Sequence, residues 1–167
     1  IQAYHKTLLG TIVDNTLDRL DAMMPRFTET FPAAAAVDGI YPPVEKVDWT
    51  EGFWLGMLWL AYEATGDTEY RKVAEGLLPQ FRTRLEQKVK TNTHDLGFLY
   101  NLSCVAAWKL TKNAEARSSA LWAADLLYER YNRTAGIVQA WGALDDPAKQ
   151  GRMIIDCNLN LPLLFWA

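Results

Sequence analysis

The chain has 167 residues, 50% of them hydrophobic, 22% charged and 12% aromatic, which is about one domain's length with enough apolar content for a real core. Twenty Asp and Glu against seventeen Lys and Arg give a net charge of −3 without a basic run, which argues against a nucleic-acid partner. Cys104 and Cys157 are too few for a disulfide scaffold, and His5 and His94, outside any HExxH or Cys/His cluster, argue against a transition-metal site.

The first residues, Ile1 to Lys6, carry no basic stretch followed by an apolar one, so no signal peptide is read and a cytoplasmic location is expected. From His5 to Met24 the residues Leu8, Leu9, Ile12, Val13, Leu17, Leu20 and Met24 form one apolar stripe at helical spacing, ended by Pro25. Pro32 to Pro43 reads as a loop, broken by Asp38-Gly39 and Pro42-Pro43. Gly52 to Ala64 is apolar all round and predicts a helix buried on every side. Its uncharged run is well short of the ~20 residues a membrane span needs. Gly66-Asp67 makes a turn with Asp67 as N-cap, and Tyr70, Val73, Ala74, Leu77, Leu78, Phe81 and Leu85 mark an amphipathic helix.

The pattern then recurs. Gly97-Phe98 opens a second apolar helix that runs through Trp108, Lys112-Asn113 turns, and Leu121, Ala124, Leu126, Leu127 and Tyr131 mark a second amphipathic helix. A third apolar helix is expected from about Ile155 through Leu159, Leu161, Leu163, Leu164, Phe165 and Trp166. Alternating inner and outer helices of this kind build an open solenoid or a closed α/α toroid. The Trp-rich, Gly-punctuated inner helices favour the toroid. No segment alternates with period two for long, so the class is all-α.

The repeat also locates candidate chemistry. Counting back from Ala61, Ala107 and Ala167, an Asp lies thirteen, twelve and eleven residues earlier, at Asp48, Asp95 and Asp156. Inner helices of a toroid run the same way, so the three acids crowd one mouth. Helix capping accounts for any one of them, at about 1 kcal/mol. Three at one mouth, flanked by Trp49, His94 and Trp141, point to a carboxylate active site.

Asp48-Trp49-Thr50-Glu51-Gly52-Phe53-Trp54, Leu58 to Glu63 and Thr65-Gly66-Asp67 resemble the first inner hairpin of the unsaturated glucuronyl hydrolases, glycoside hydrolase family 88. His94 to Tyr100 resembles that family's first catalytic aspartate motif. Gln139-Ala140-Trp141-Gly142, Ile154 to Cys157 and Asn160 to Leu164 resemble the segment with the second. The ordered set, over nearly the whole chain, is specific where one motif is weak. The resemblance implies an (α/α)6 barrel, of which residues 1–167 are about the N-terminal half, so that the C-terminal half is needed to complete the pocket. It implies Asp156 as general acid and base and Asp95 as the second essential carboxylate. Trp49, His94 and Trp141 would line the subsite for the unsaturated sugar. Where the family commonly has another His before the His-Asp pair, this chain has Thr93.

The implied reaction is hydration. Asp156 protonates C4 of a 4,5-unsaturated uronic acid, water adds at C5, and the resulting hemiketal opens and releases the next sugar. The acid must keep its proton, which a nearby ionised Asp95 in a partly dry site would favour. Partners would be unsaturated uronic-acid oligosaccharides from glycosaminoglycan, gellan or xanthan, without cofactor, metal, nucleic acid or membrane. Asn160, four residues after Asp156, is expected to orient that carboxylate at the sugar subsite. Asp48 reads as a cap and Cys157 as a buried thiol. Unsaturated rhamnogalacturonyl hydrolysis, ordinary two-carboxylate glycoside hydrolysis and a helical-repeat binding module remain as alternatives.

Overall fold

The computed structural model describes residues 2–44 and 48–167, and the side chains of 9–44 and 48–167. His5 and Leu8 of the first expected stripe therefore have no described side chains. Helix α1 spans Gln2–Met23 and runs into a 3-10 turn over Met24–Arg26 that holds Pro25 at its start. Among the described residues only the end of its stripe packs: Leu20 is buried and Leu17 half-buried, whereas Leu9, Ile12 and Val13 are exposed. The Pro32–Pro43 loop is pinned by isolated bridges between those two prolines and between Val37 and Ile40.

Helix α2 (Glu51–Thr65) buries Trp54, Leu55, Leu58 and Trp59, and the Trp54 indole N–H donates to the Phe27 carbonyl at 3.1 Å. Each large apolar side chain buried this way contributes about 1.5–3 kcal/mol. The expectation of burial on every side is corrected here: Phe53, Met57 and Leu60, at spacings of four and three, form an exposed face. Gly66 closes the helix in the left-handed region, at φ +74°, where a side chain would be strained. Asp67 accepts from the Glu69 N–H at 2.9 Å and so caps α3 (Thr68–Glu86), as its position in the sequence predicts. Tyr70, Ala74, Leu77, Leu78, Phe81 and Leu85 of α3 form the buried stripe.

The second inner helix is less regular than its sequence suggests. It consists of α4 (Leu96–Tyr100), a π-helical stretch at Asn101–Val105 and α5 (Ala106–Thr111). Asn113 then caps α6 (Ala114–Tyr128), whose Ala116, Ala120, Ala123 and Ala124 let it lie close against its neighbours. Helix α2 packs on α3, α3 on α6, and α6 on α4, which gives inner and outer layers. A hairpin of β1 (Tyr131–Asn132) and β2 (Ile137–Val138) follows. The third inner helix is a correction too. It starts at Cys157 rather than Ile155 and breaks at Pro162 into α7 (Cys157–Asn160) and α8 (Pro162–Trp166).

Two glycines set how closely the inner helices meet. A Cβ on Gly52 would lie 2.4 Å from the Phe98 carbonyl oxygen, and one on Gly97 would lie 2.3 Å from both Cα and O of Asn160. The α2, α4 and α7 backbones touch there, which draws their N-terminal ends together.

Candidate active site

Those ends carry the acids. Asp95 and Asp156 occupy the N-cap positions of α4 and α7, yet neither side chain caps its helix. The capping explanation fails for both. Asp95 instead has both oxygens engaged: Oδ2 accepts from the Thr93 hydroxyl at 2.7 Å, and Oδ1 lies 3.3 Å from His94 Nε2. Burial pushes the Asp95 carboxyl up, but the hydrogen bonds from His94 and Thr93 outweigh it and hold the group below the usual carboxylate range.

His94 stands between the two acids. Its Nε2 is 3.6 Å from Asp156 Oδ1, too far for a hydrogen bond, and that oxygen is buried without a hydrogen-bond partner. Nε2 therefore lies nearer Asp95 than Asp156. The pair is unequal: one carboxylate is fully bonded, the other keeps an oxygen free. One imidazole nitrogen and one oxygen from each acid lie within 4.8 Å of one another, the one cluster among the described residues that brings three metal-type donors together. The inventory argument against a metal thus meets a set of N and O donors able to hold a divalent ion.

The two tryptophans flank this cluster. Trp141 pairs with Thr93 in an isolated antiparallel bridge, and the His94 N–H donates to the Ala140 carbonyl at 2.7 Å, so the Trp141 segment lies directly against the acid loop. The Trp49 ring stacks obliquely on Phe98 at 5.4 Å and meets Phe53 at 5.9 Å. Trp49 and Trp141 are 42% and 41% exposed, so neither is a core residue. A cavity of about 210 Å³ is lined by Asp48, Trp49, Arg84, Lys90, Asn92, Thr93 and Asp95.

Two expectations change. Asn160 is wholly buried, accepts from the Phe98 N–H at 2.8 Å and donates to the Asp156 backbone carbonyl at 3.2 Å. It touches neither the Asp156 carboxylate nor any open space, so it ties α7 to α4 instead of binding sugar. Asp48 does not cap α2; its Oδ1 accepts from the N–H of Trp49. A buried ion pair between Arg84 and Glu51, at 3.1 Å, went unread in the sequence. Arg84 also donates to the Asp48 carbonyl at 2.8 Å, which fixes the strand of chain that carries Trp49. Cys157 is buried as expected, and burial followed by the nearby Asp156 charge pushes its thiol up, which is wrong for a nucleophile.

Residues 19–157 match the model of glycosyl hydrolase family 88. The chain is 48% identical over 144 residues to the unsaturated glucuronyl hydrolase of Bacillus sp. strain GL1, covering 86% of this chain and 38% of that protein. It is 41% identical over 162 residues to the unsaturated chondroitin disaccharide hydrolase of Streptococcus pneumoniae, covering 97% of this chain and 41% of that one. Among solved structures it superposes on the Bacillus sp. GL1 unsaturated glucuronyl hydrolase, described as responsible for the degradation of glycosaminoglycan. The TM-score is 0.86 at 45% identity, over 92% of this chain and 41% of that chain. The chain thus spans about two fifths of the length of the relatives it matches, and the α/α-barrel class expected from the repeat is the one it matches.

Proposed function

This chain belongs to glycosyl hydrolase family 88, and from that premise we propose that the protein carrying it removes 4,5-unsaturated glucuronic acid from the non-reducing end of lyase-generated oligosaccharides. The observation that carries the reading is the inequality of the two acids. Among the described residues Asp156 keeps one buried oxygen without a hydrogen-bond partner, placed to deliver a proton to C4 of the C4=C5 bond. Asp95, bonded by Thr93 and His94 and held ionised, stabilises positive charge that develops at C5 as the proton arrives. Water then adds at C5, its proton passing to Asp156, and the hemiketal opens and releases the next sugar. His94, closer to Asp95 than to Asp156, keeps the two carboxylates apart in role. Trp49 and Trp141 offer flat faces to the sugar ring and exclude water from it.

The relatives' names, glucuronyl and chondroitin disaccharide hydrolases, support unsaturated glycosaminoglycan disaccharides as the substrate class. Residues 1–167 form the N-terminal part of one (α/α)6-barrel catalytic domain in this reading, and the remaining wall of the pocket comes from the rest of the barrel. Among the described residues no helix is long and apolar enough to cross a membrane. The buried free thiols of Cys104 and Cys157 support a reducing compartment such as the cytoplasm. The reading is tested by incubating the complete protein with an unsaturated chondroitin disaccharide. Loss of the ultraviolet absorbance of the C4=C5 bond supports it. Release of sugar from a saturated glycoside with that absorbance intact opposes it.

A further inference from the structure

The proposed mechanism leaves the buried Arg130 unused. Arg130, just after α6, is 2% exposed, and among the described residues it forms no ion pair with a carboxylate. A buried guanidinium with no carboxylate in contact is costly unless its donors are met, though the Asp95 charge favours it from a distance. Here they are met by two separate segments. Nε donates to the Gln139 carbonyl at 2.8 Å and one terminal nitrogen to the Gly142 carbonyl at 3.2 Å, while the other terminal nitrogen donates to Asn92 Oδ1. Gln139, itself 2% exposed, donates from Nε2 to the carbonyls of Trp141 and Ala143, both at 3.1 Å. Gly142 sits at φ +85°, so the turn is tight as well as bonded.

The two segments are those that carry the site. Asn92 leads directly into Thr93-His94-Asp95, and the Gln139–Gly142 turn carries Trp141. The Thr93–Trp141 bridge joins them along their backbones; Arg130 joins them from beneath. A planar guanidinium reaches three acceptors at fixed angles, which a lysine ammonium cannot reproduce.

We propose that Arg130 is a positioning residue, fixing through Asn92 and the Gln139–Gly142 turn where the Trp141 wall stands relative to His94, Asp95 and Asp156. The inference rests on the reading of this mouth as the active site for an unsaturated sugar.

The test uses the complete protein, an unsaturated chondroitin disaccharide, and the variants Arg130→Lys, Arg130→Met, Asn92→Ala and the double variant Arg130→Met with Asn92→Ala. A misplacement of about 1 Å costs on the order of 100-fold in rate, so both Arg130 variants are expected to lose that order of kcat/KM at a temperature where they remain folded. Asn92→Ala, on an exposed residue, loses about tenfold with a nearly unchanged Tm. Because Arg130 and Asn92 share one bond, their losses combine to less than the product. Fully multiplicative losses overturn the proposal, since Asn92 would then contact sugar independently. So does a lowered Tm with kcat and KM unchanged below it. If Arg130→Met does not fold, Arg130→Lys and Asn92→Ala still decide. Asp156→Asn is the control. If it keeps its activity, the active-site reading falls and this inference with it. If it is inactive while the clamp variants stay within about twofold of wild type, only the clamp falls.

Discussion

Asp95 and Asp156 stand where capping residues stand and cap nothing, and their different hydrogen bonding assigns them different work. Asp156→Asn keeps the shape of the side chain and removes its transferable proton. It is expected to lower kcat by at least 10²–10⁴-fold, the usual range of general acid–base catalysis, with sugar binding near normal. Retention of a tenth of the activity contradicts the assignment. Thr93→Val keeps the volume and deletes the hydroxyl that donates to Asp95 Oδ2. The Asp95 pKa then rises toward the ordinary carboxylate range. If Asp95 acts ionised, the acid limb of the kcat/KM profile moves to higher pH, and a limb that stays in place contradicts that role. The sign for stability is the same: a carboxyl held low favours the folded state above its unfolded pKa, and this is lost as pH falls through the folded value. The repeat pointed to three acids at one mouth, at spacings that drift from thirteen to eleven residues, and the resemblance to family 88 singled out Asp95 and Asp156 among them. Asn160 was misread because its spacing from Asp156 gives a shared helix face but not the backbone N–H that lies opposite. Arg84–Glu51 was invisible because its partner lies 33 residues away, and the Arg130 clamp because it joins Asn92, 38 residues back, to backbone carbonyls of a turn that no side-chain pattern marks.

At the scale of elements, the site exists because three inner helices meet backbone to backbone. Gly97 is the tightest point, since the atoms a Cβ would strike belong to the α7 backbone. Gly97→Ala must push α7 off α4, which lengthens the separation of Asp156 from His94 and Asp95. The expected result is a loss of about 1–3 kcal/mol in stability, the usual cost of overpacking, together with a fall in kcat/KM larger than the fraction unfolded explains. A variant as stable and active as wild type contradicts the account of the helix contact. The sequence showed the glycines as a repeated Gly-Phe pair 45 residues apart, and the helix order, the cap at Asp67 and the turn at Lys112-Asn113 were legible with them. The π-helical stretch at Asn101–Val105 and the break before Pro162 were not. The break follows from Pro162, a local signal that the apolar pattern overrode; the π-helical stretch lies beside a tertiary contact, the Tyr100 hydroxyl donating to the Phe81 carbonyl at 2.8 Å, which no local pattern encodes.

At the scale of the molecule, the apolar inner helices promised burial that residues 1–167 do not supply by themselves. Leu60 of α2, Leu159 of α7 and Phe165 of α8 are exposed at 66%, 64% and 87%, as is Ile155 at 87%. Contiguous apolar surface beyond a few hundred Å² is rarely left open on a soluble monomer. Residues 1–167 expressed alone are therefore expected to self-associate or melt without cooperativity, and to be inactive, as sedimentation and calorimetry would show. A monodisperse, cooperatively melting monomer contradicts the toroid and supports an open helical repeat. The central claim, hydration of C4=C5 by this acid pair, is tested most directly in deuterated water. The complete protein is incubated with an unsaturated chondroitin disaccharide in D2O and the products are followed by absorbance and NMR. The account predicts loss of the double-bond absorbance, with one deuterium delivered to C4 of the former unsaturated sugar. Cleavage that leaves the double bond intact, with attack at the anomeric carbon and no deuterium at C4, would contradict it.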